Sequence, residues 1–361
     1  MNPLLAKFNT PFETAPFDKI KNEHFLPAIK SAIAEVNEEI KQIKAEASPD
    51  FENTIVGLEN SGEKLSSAAS IFFNINAAET NDEIQQLARE ISPLLSAHSN
   101  DVLLDEALFK RVKAVYDQKD QLKLNAEQST LLDKSYKSFI RNGALLEGEA
   151  KDRLRAIDQK LSKLGLHFGE NVLKETNKYE LVLSDEKDLE GLPDGLIEAA
   201  AQTAQEKGKE GKWVFTLAFP SYVPFMTYAK NRALRKKIFI AYNTKSAKGD
   251  DLDNREIIKE ILKLKDERAK LLGYENYAAF VLEERMATSG EQVLTFLDEL
   301  LEKAKPKAQA ELKELEAFAR KTDNIDQLCK WDISYYAEKL KMEKYAVDDE
   351  LLKPYFELNR T

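Results

Sequence analysis

The chain has 361 residues, with 53 Lys and Arg against 63 Asp and Glu, a formal net charge of −10. With the cations interleaved among more numerous acids, nothing in that balance marks a binder of polyanions, so no nucleic-acid partner is expected. A lone cysteine, Cys329, excludes an internal disulfide framework, and no apolar run approaches the roughly 18 residues of a membrane span, so no membrane partner is expected either.

Glycine (13) and proline (11) are scarce and charged residues make up 32%, a composition that favours long amphipathic helices over sheets. The opening stretch, MNPLLAKFNTPFETAPF, has no basic segment followed by an apolar one, so a secretory signal is not expected and the cytoplasm is the expected setting. Ile29, Ile33, Val36, Ile40 and Ile43 recur at helical spacing and predict one buried helix stripe. Ser48 before Pro49 reads as an N-cap and first helical residue, and Thr80 with Glu83 reads as a capping box. No proline interrupts the chain between Pro93 and Pro193. Within that stretch Asn125 and Gln128 form a second capping box, and Leu154, Ile157, Leu161, Leu164, Phe168 and Val172 form another stripe.

From Tyr179 the character changes. Tyr179–Leu183 and Trp213–Leu217 are rich in strand formers, and Pro193-Asp194-Gly195 opens an Ala-rich helix between them. The predicted organisation is therefore an N-terminal helical region at 1–178, a small α/β insert with two short strands at 179–245, and a second helical region at 246–361. In the last region Gly273 is placed to end a helix, and Ser289 with Gln292 to start one. Val293, Phe296, Leu297, Leu300 and Leu301, then Leu312, Leu315 and Phe318, mark its buried side. The final apolar set, Leu351, Leu352, Tyr355, Phe356 and Leu358, has no C-cap after it. It reads equally as a short docked helix or as a helix whose partner lies elsewhere.

Chemistry is sparse. A thermolysin-type zinc site needs two histidines one turn apart with a glutamate between them. The three histidines, His24, His98 and His167, are far apart in the chain, and none has that neighbour. His24 and His98 read as surface or capping residues and His167 as a packed or rim residue. Two phosphate-loop spacings, Gly57 to Gly62 and Gly143 to Gly148, are each followed by a glutamate where a lysine would be required. The pairs Glu38-Glu39, Asp250-Asp251, Glu283-Glu284 and Asp348-Asp349 read as solvated faces, and Cys329 as a small buried filler. Arg232, Arg235, Lys236 and Lys237 form the densest basic cluster, with Tyr228, Leu234, Ile238 and Ile240 on the inner side. They read as a salt-bridged helix face, or as a patch for the acidic end of a peptide.

Five blocks together carry a resemblance: NPLLAKFNTPFETAPFDKIKNEHFLPAI, FENTIVGLENSGEKL, FPSYVPFMTYAKNRALRKKIFIAYNTK from Phe219, DNREIIKEILKLKDERAKLLGYENYAAFVLEERMA from Asp253, and WDISYYAEKLKMEKYAVDDELLKPYFEL from Trp331. They resemble the N-terminal half of the thimet oligopeptidase family of zinc metallopeptidases, closest to its bacterial peptidyl-dipeptidase and oligopeptidase A branch. The resemblance implies a mainly α, elongated, neurolysin-like multi-helix fold with a channel, and hydrolysis of short peptides. It also implies a HExxH zinc helix, which no residue of this chain matches. No catalytic, cofactor-binding or metal-ligating residue is therefore assigned. Zinc is expected in the complete protein and not in this chain. The expected partners are short peptides and a C-terminal catalytic half, and the expected role is that of a channel wall, inactive alone. A non-enzymatic helical scaffold for peptides or partners is the alternative. On the first reading Leu351, Leu352, Tyr355 and Phe356 are expected to lack an intramolecular core.

Overall fold

The computed structural model describes residues 2–347, 352 and 354–356. In chain order the elements are α1 (Asn22–Ala45), α2 (Gly57–Asn60), α3 (Glu63–Ala78), α4 (Asp82–Leu103), α5 (Glu106–Tyr116), α6 (Ala126–Arg141), α7 (Glu149–Lys178), β1 (Leu181–Leu183), α8 (Asp194–Glu206), β2 (Trp213–Phe215), α9 (Phe219–Tyr228), α10 (Arg232–Asn243), α11 (Arg255–Leu271), α12 (Tyr277–Leu282), α13 (Gly290–Asp323) and α14 (Ile333–Tyr345). The fold is mainly α with one small strand pair, as the composition and the strand-rich insert predict. None of the described helices is long and apolar enough to cross a membrane.

The chain divides into two compact units. The first comprises Met1–Phe168 and Ile257–Glu284, the second Gly169–Glu256 and Arg285–Thr361. In the first, the predicted α1 stripe is real: Ile29, Val36, Ile40 and Ile43 are buried, while Ile33 is partly so. They pack with Phe72 of α3, Ile91 of α4 and Leu108 of α5, and the Phe25 and Phe72 rings meet edge to face at 5.0 Å. Each such side chain contributes roughly 1.5–3 kcal/mol when fully buried, which is why the apolar stripe governs where α1 lies. In α7, Leu154 and Ile157 are fully buried but the stripe fades beyond them, and His167 is exposed rather than packed. Residues 257–284 are tied to this unit by charge: Arg268 Nε donates to Asp158 at 2.7 Å, and Arg153 pairs in a two-pronged fashion with Glu267.

In the second unit β1 and β2 pair antiparallel, with Leu181 opposite Phe215 and Leu183 opposite Trp213. Ala200 of α8 packs over the pair, and Phe215 meets Phe225 of α9 at 4.7 Å. A separate small core joins α13 to α14 through Leu315, Phe318, Tyr335 and Tyr336. Leu352, Tyr355 and Phe356 are exposed, as expected of a segment without an intramolecular core, while Leu351 and Leu358 lie outside the described residues.

Helix starts test the local reading of caps. The Asn125–Gln128 box is formed in both directions, at 2.9 and 3.0 Å. Ser289 caps α13 by accepting from Gln292 N–H at 3.1 Å. Gly273 ends α11 with φ +85°, and Tyr274 N–H reaches back to Ala269 O at 2.9 Å. Two expectations move. Thr80 does not cap α4: Asn81 does, accepting from Ile84 N–H at 3.0 Å, and Thr80 instead donates to Asn76. Likewise Asp50 rather than Ser48 starts the next turn, exchanging bonds with Asn53 at 2.7 and 3.1 Å. At the N-cap Asn is favoured over Thr, whereas Ser and Asp are about equal, so the choice of Asp50 rests on its reciprocal bonds with Asn53. Asn81→Ala is expected to cost about 1 kcal/mol and Thr80→Ala less than about 0.5 kcal/mol, read as the shift of a denaturant midpoint at unchanged slope.

Candidate functional site

The site in the second unit starts from a helix cap. Asn231 accepts from Ala233 and Leu234 N–H and so starts α10 at Arg232. Arg232 and Arg235 then fall one turn apart on the same face, which lets both guanidinium groups reach one carboxylate. That carboxylate is Asp332, 0% exposed, and Arg235 is 1% exposed.

The geometry satisfies nearly every donor. Arg235 gives Nη2 to Asp332 at 3.0 Å, Nε to Trp331 O at 3.1 Å, and Nη1 to Ala229 O at 2.7 Å and Lys230 O at 3.1 Å. The Tyr335 ring lies against its guanidinium, 4.0 Å from centroid to carbon. Arg232 holds the same carboxylate with Nε at 3.0 and 3.1 Å and Nη2 at 2.7 Å, and Cys329 N–H adds a bond at 3.0 Å. Burial by itself would raise the pKa of Asp332, but the two arginines and the Cys329 amide outweigh it and hold the carboxyl below its ordinary value. The basic cluster is thus half structural. Arg232 and Arg235 pair with Asp332, in line with their reading as a salt-bridged helix face and not with the alternative of a patch for a peptide's acidic end. Lys236 and Lys237 are exposed, with Lys236 over the Trp331 ring at 5.0 Å. Two further readings are corrected: Ile240 is exposed, and Cys329 is only half-buried.

By locking the turn at 330–332 onto α10, this centre sets the first turns of α14 and hence Tyr335, Glu338 and Lys339. Those side chains line a cavity of about 650 Å³ with Phe318, Met342 and Tyr228. A second cavity of about 550 Å³, walled by Leu196, Ala199, Val223 and Pro224, shares Thr227, Tyr228 and Glu338 with the first. Together they form one groove. Its rim is mixed in sign: Lys230 pairs with Glu190, Glu338 with Lys341 at 2.9 Å, and Lys339 stands 3.8 Å from Asp323. An apolar floor with balanced rim charge suits a ligand of alternating polar backbone and apolar side chains better than a polyanion. The far wall depends on Gly191, which has φ +90° and brings the loop so close to α9 that a Cβ would sit 2.5 Å from Tyr228 O. The adjoining Lys230 N–H donates to Glu190 O at 2.9 Å.

None of the groove was visible in the sequence, because its walls come from residues 190–228 and 318–342. The proline-flanked ends of α8 and α9 were the available hint. The remaining sequence candidates fall elsewhere. Lys21 N–H donates to His24 Nδ1 at 3.0 Å, a capping role, and His98 is half-buried with its Nδ1 unpartnered, so that burial lowers its proton affinity. Among the described residues no group of three or more His, Cys, Asp or Glu side chains is placed to hold a metal ion. Gly62 N–H donates to the Glu39 carboxylate at 2.9 Å, which occupies the place a phosphate would need. Glu283 and Glu284, read as a solvated pair, are instead neutralised within the first unit by Arg141, Lys134 and Lys137.

Two outcomes follow from this centre. Asp332→Ala leaves two guanidinium groups without their carboxylate and is expected to destabilise by about 3–5 kcal/mol. Because the folded-state pKa lies below the unfolded one, this stabilisation is complete above the ordinary aspartate value of 3.8 and is lost as pH falls below it. The wild-type denaturation midpoint is therefore expected to drop more steeply than that of Asp332→Asn in an acid titration. Gly191→Ala is expected to cost at least about 2 kcal/mol, since strain at positive φ adds to a backbone clash, read as a lowered thermal midpoint.

Comparison with known proteins agrees with the resemblance read from the sequence. The profile of peptidase family M3 matches residues 225–361. Dipeptidyl carboxypeptidase of Escherichia coli is 35% identical over 360 residues, covering 99% of this chain and 53% of its own length. Oligopeptidase A of the same bacterium is 36% identical over 364 residues, with the same two shares. Saccharolysin of Saccharomyces cerevisiae is 29% identical over 290 residues, 77% of this chain and 39% of its own. The chain spans about half the length of the first two. It belongs to peptidase family M3, and over nearly its whole length it resembles the N-terminal half of the family's oligopeptidases.

Proposed function

We propose that this chain forms the helical, substrate-lining part of a zinc-dependent oligopeptidase or peptidyl-dipeptidase acting on short peptides, and that it is inactive alone. The hydrolytic chemistry is then supplied by sequence equivalent to the remainder of its relatives. The observation that carries the reading is 35–36% identity to two peptidases over 99% of the chain. No catalytic step is assigned to the described residues, among which no group of three or more His, Cys, Asp or Glu side chains is placed to hold a metal ion.

What they offer is positioning. The groove of the second unit has two adjoining apolar cavities with Thr227, Tyr228 and Glu338 common to both. An extended peptide places successive side chains on opposite sides, so that adjacent cavities take alternate residues while the backbone faces the polar rim. Holding a peptide in one orientation lowers the entropic part of the barrier for chemistry performed elsewhere. A cytoplasmic setting belongs to the same proposal.

The purified chain is expected to contain far less than one zinc per molecule by elemental analysis and to leave a quenched peptide uncut. It is also expected to bind a fluorescein-labelled short peptide saturably. Ala199→Trp, which fills the second cavity from an exposed position on α8, is expected to weaken that binding by at least roughly fivefold. Stoichiometric zinc accompanied by turnover overturns the assignment of the chemistry to other sequence. Absence of saturable binding overturns the groove.

A further inference from the structure

Asn142 is the one asparagine in the sequence that precedes a glycine. In a mobile chain such a pair is chemically unstable. The glycine's backbone nitrogen attacks Cγ of the asparagine, a C–N bond forms, and the Cγ–Nδ2 bond breaks to release ammonia, which carries off the amide proton. Water then opens the cyclic imide at either carbonyl and leaves aspartate or isoaspartate. Glycine favours the reaction because it has no side chain to hinder ring closure and the widest choice of backbone angles. Here the glycine is imposed by packing. Gly143 is buried at φ +94°, and a Cβ on it would collide with Leu154.

The first unit holds every reacting atom out of line. Asn142 Nδ2, the leaving group, donates to Ser138 O at 2.9 Å, and Asn142 Oδ1 accepts from Arg268 Nη2 at 3.0 Å. The nucleophile, Gly143 N–H, donates to Ile140 O at 3.1 Å. With ψ 19° at Asn142, that nitrogen lies away from the Asn142 side chain, and the Cα–C bond has to rotate before the two can meet. Arg268 sits on α11 and is itself held by Asp158 of α7 at 2.7 Å, so its grip on Asn142 lasts only while α11 lies on α6 and α7. Local openings release such grips while the rest of a fold persists. We propose that Asn142–Gly143 is a latent site of spontaneous deamidation, masked while Arg268 is docked and unmasked when α11 opens within the first unit. Each opening that reacts leaves a lasting mark. Isoaspartate adds a backbone carbon to a turn in which Ala144 N–H reaches Phe139 O at 3.0 Å and Gly143 has no spare room. Aspartate puts a negative charge at the C-terminal end of α6, where the helix dipole opposes it, and leaves Ser138 O without its donor.

The test is incubation of the purified whole chain at neutral pH, followed by peptide mapping with mass spectrometry. The exposed Asn60, which precedes Ser61, serves as an internal comparison. In denaturant Asn142 is expected to convert ahead of Asn60. In the native chain it is expected to convert at least roughly tenfold more slowly than in denaturant. Arg268→Ala, read at retained helical circular dichroism, is expected to raise the native rate at least roughly fivefold. Arg268→Lys keeps a cation beside Asp158 but lacks the forked second arm that holds Asn142, and is expected to raise the rate in the same direction with less disturbance of the fold. Converted chain, separated by its added charge, is expected to melt at a lower temperature than unconverted chain. No conversion at Asn142 in denaturant overturns the site. Equal native and denatured rates, or a native rate unchanged in both Arg268 variants, overturn the mask. Equal melting of converted and unconverted chain overturns the lasting mark.

Discussion

The second unit is organised around a charge that cannot leave. Asp332 has no contact with water and Arg235 almost none. Taking both out of solvent is unfavourable by several kcal/mol each, and only a nearly complete set of short, well-directed bonds offsets that cost. The requirement propagates. The guanidinium of Arg235 needs the carbonyls of Ala229, Lys230 and Trp331 as well as the carboxylate, so the end of α9, the start of α10 and the turn before α14 have to meet at one point. A buried pair of this kind specifies an arrangement more than it adds stability, because a misplaced partner is far worse than an apolar substitute.

That arrangement is what gives the groove its shape. Tyr335 covers the arginine with one face and lines the cavity with its side chain, so that the same residue closes the charged centre and opens the apolar floor. Gly191 completes the other wall for a different reason, the lack of any room for a Cβ beside Tyr228 O. One wall is therefore held by electrostatics and the other by backbone proximity.

The histidine arithmetic and the groove bear on one another. His24 serves as a cap, His98 is half-buried and His167 is exposed, and among the described residues no group of three or more His, Cys, Asp or Glu side chains is placed to hold a metal ion. Charge compensation elsewhere follows the same economy of local pairs: the carboxylates at 283 and 284 answer Arg141, Lys134 and Lys137 within the first unit rather than forming an acid–base pair.

Sequence alone determined the helices, the strand-rich insert and the family. The spacing of Ile29, Val36, Ile40 and Ile43 needs no tertiary information, because apolar residues at that period can only be hidden on one side of a helix. The Asn125–Gln128 box and Gly273 are equally local. Tertiary structure decided what depended on partners distant in the chain. It chose Asn81 over Thr80 as a cap, turned Arg232 and Arg235 inward toward a residue about a hundred positions away, and joined residues 190–228 to 318–342 around the groove. It also left the α13 stripe uncovered, although its pattern is as apolar as that of α1. Periodicity states which face a helix must hide, but whether anything covers that face depends on the rest of the fold.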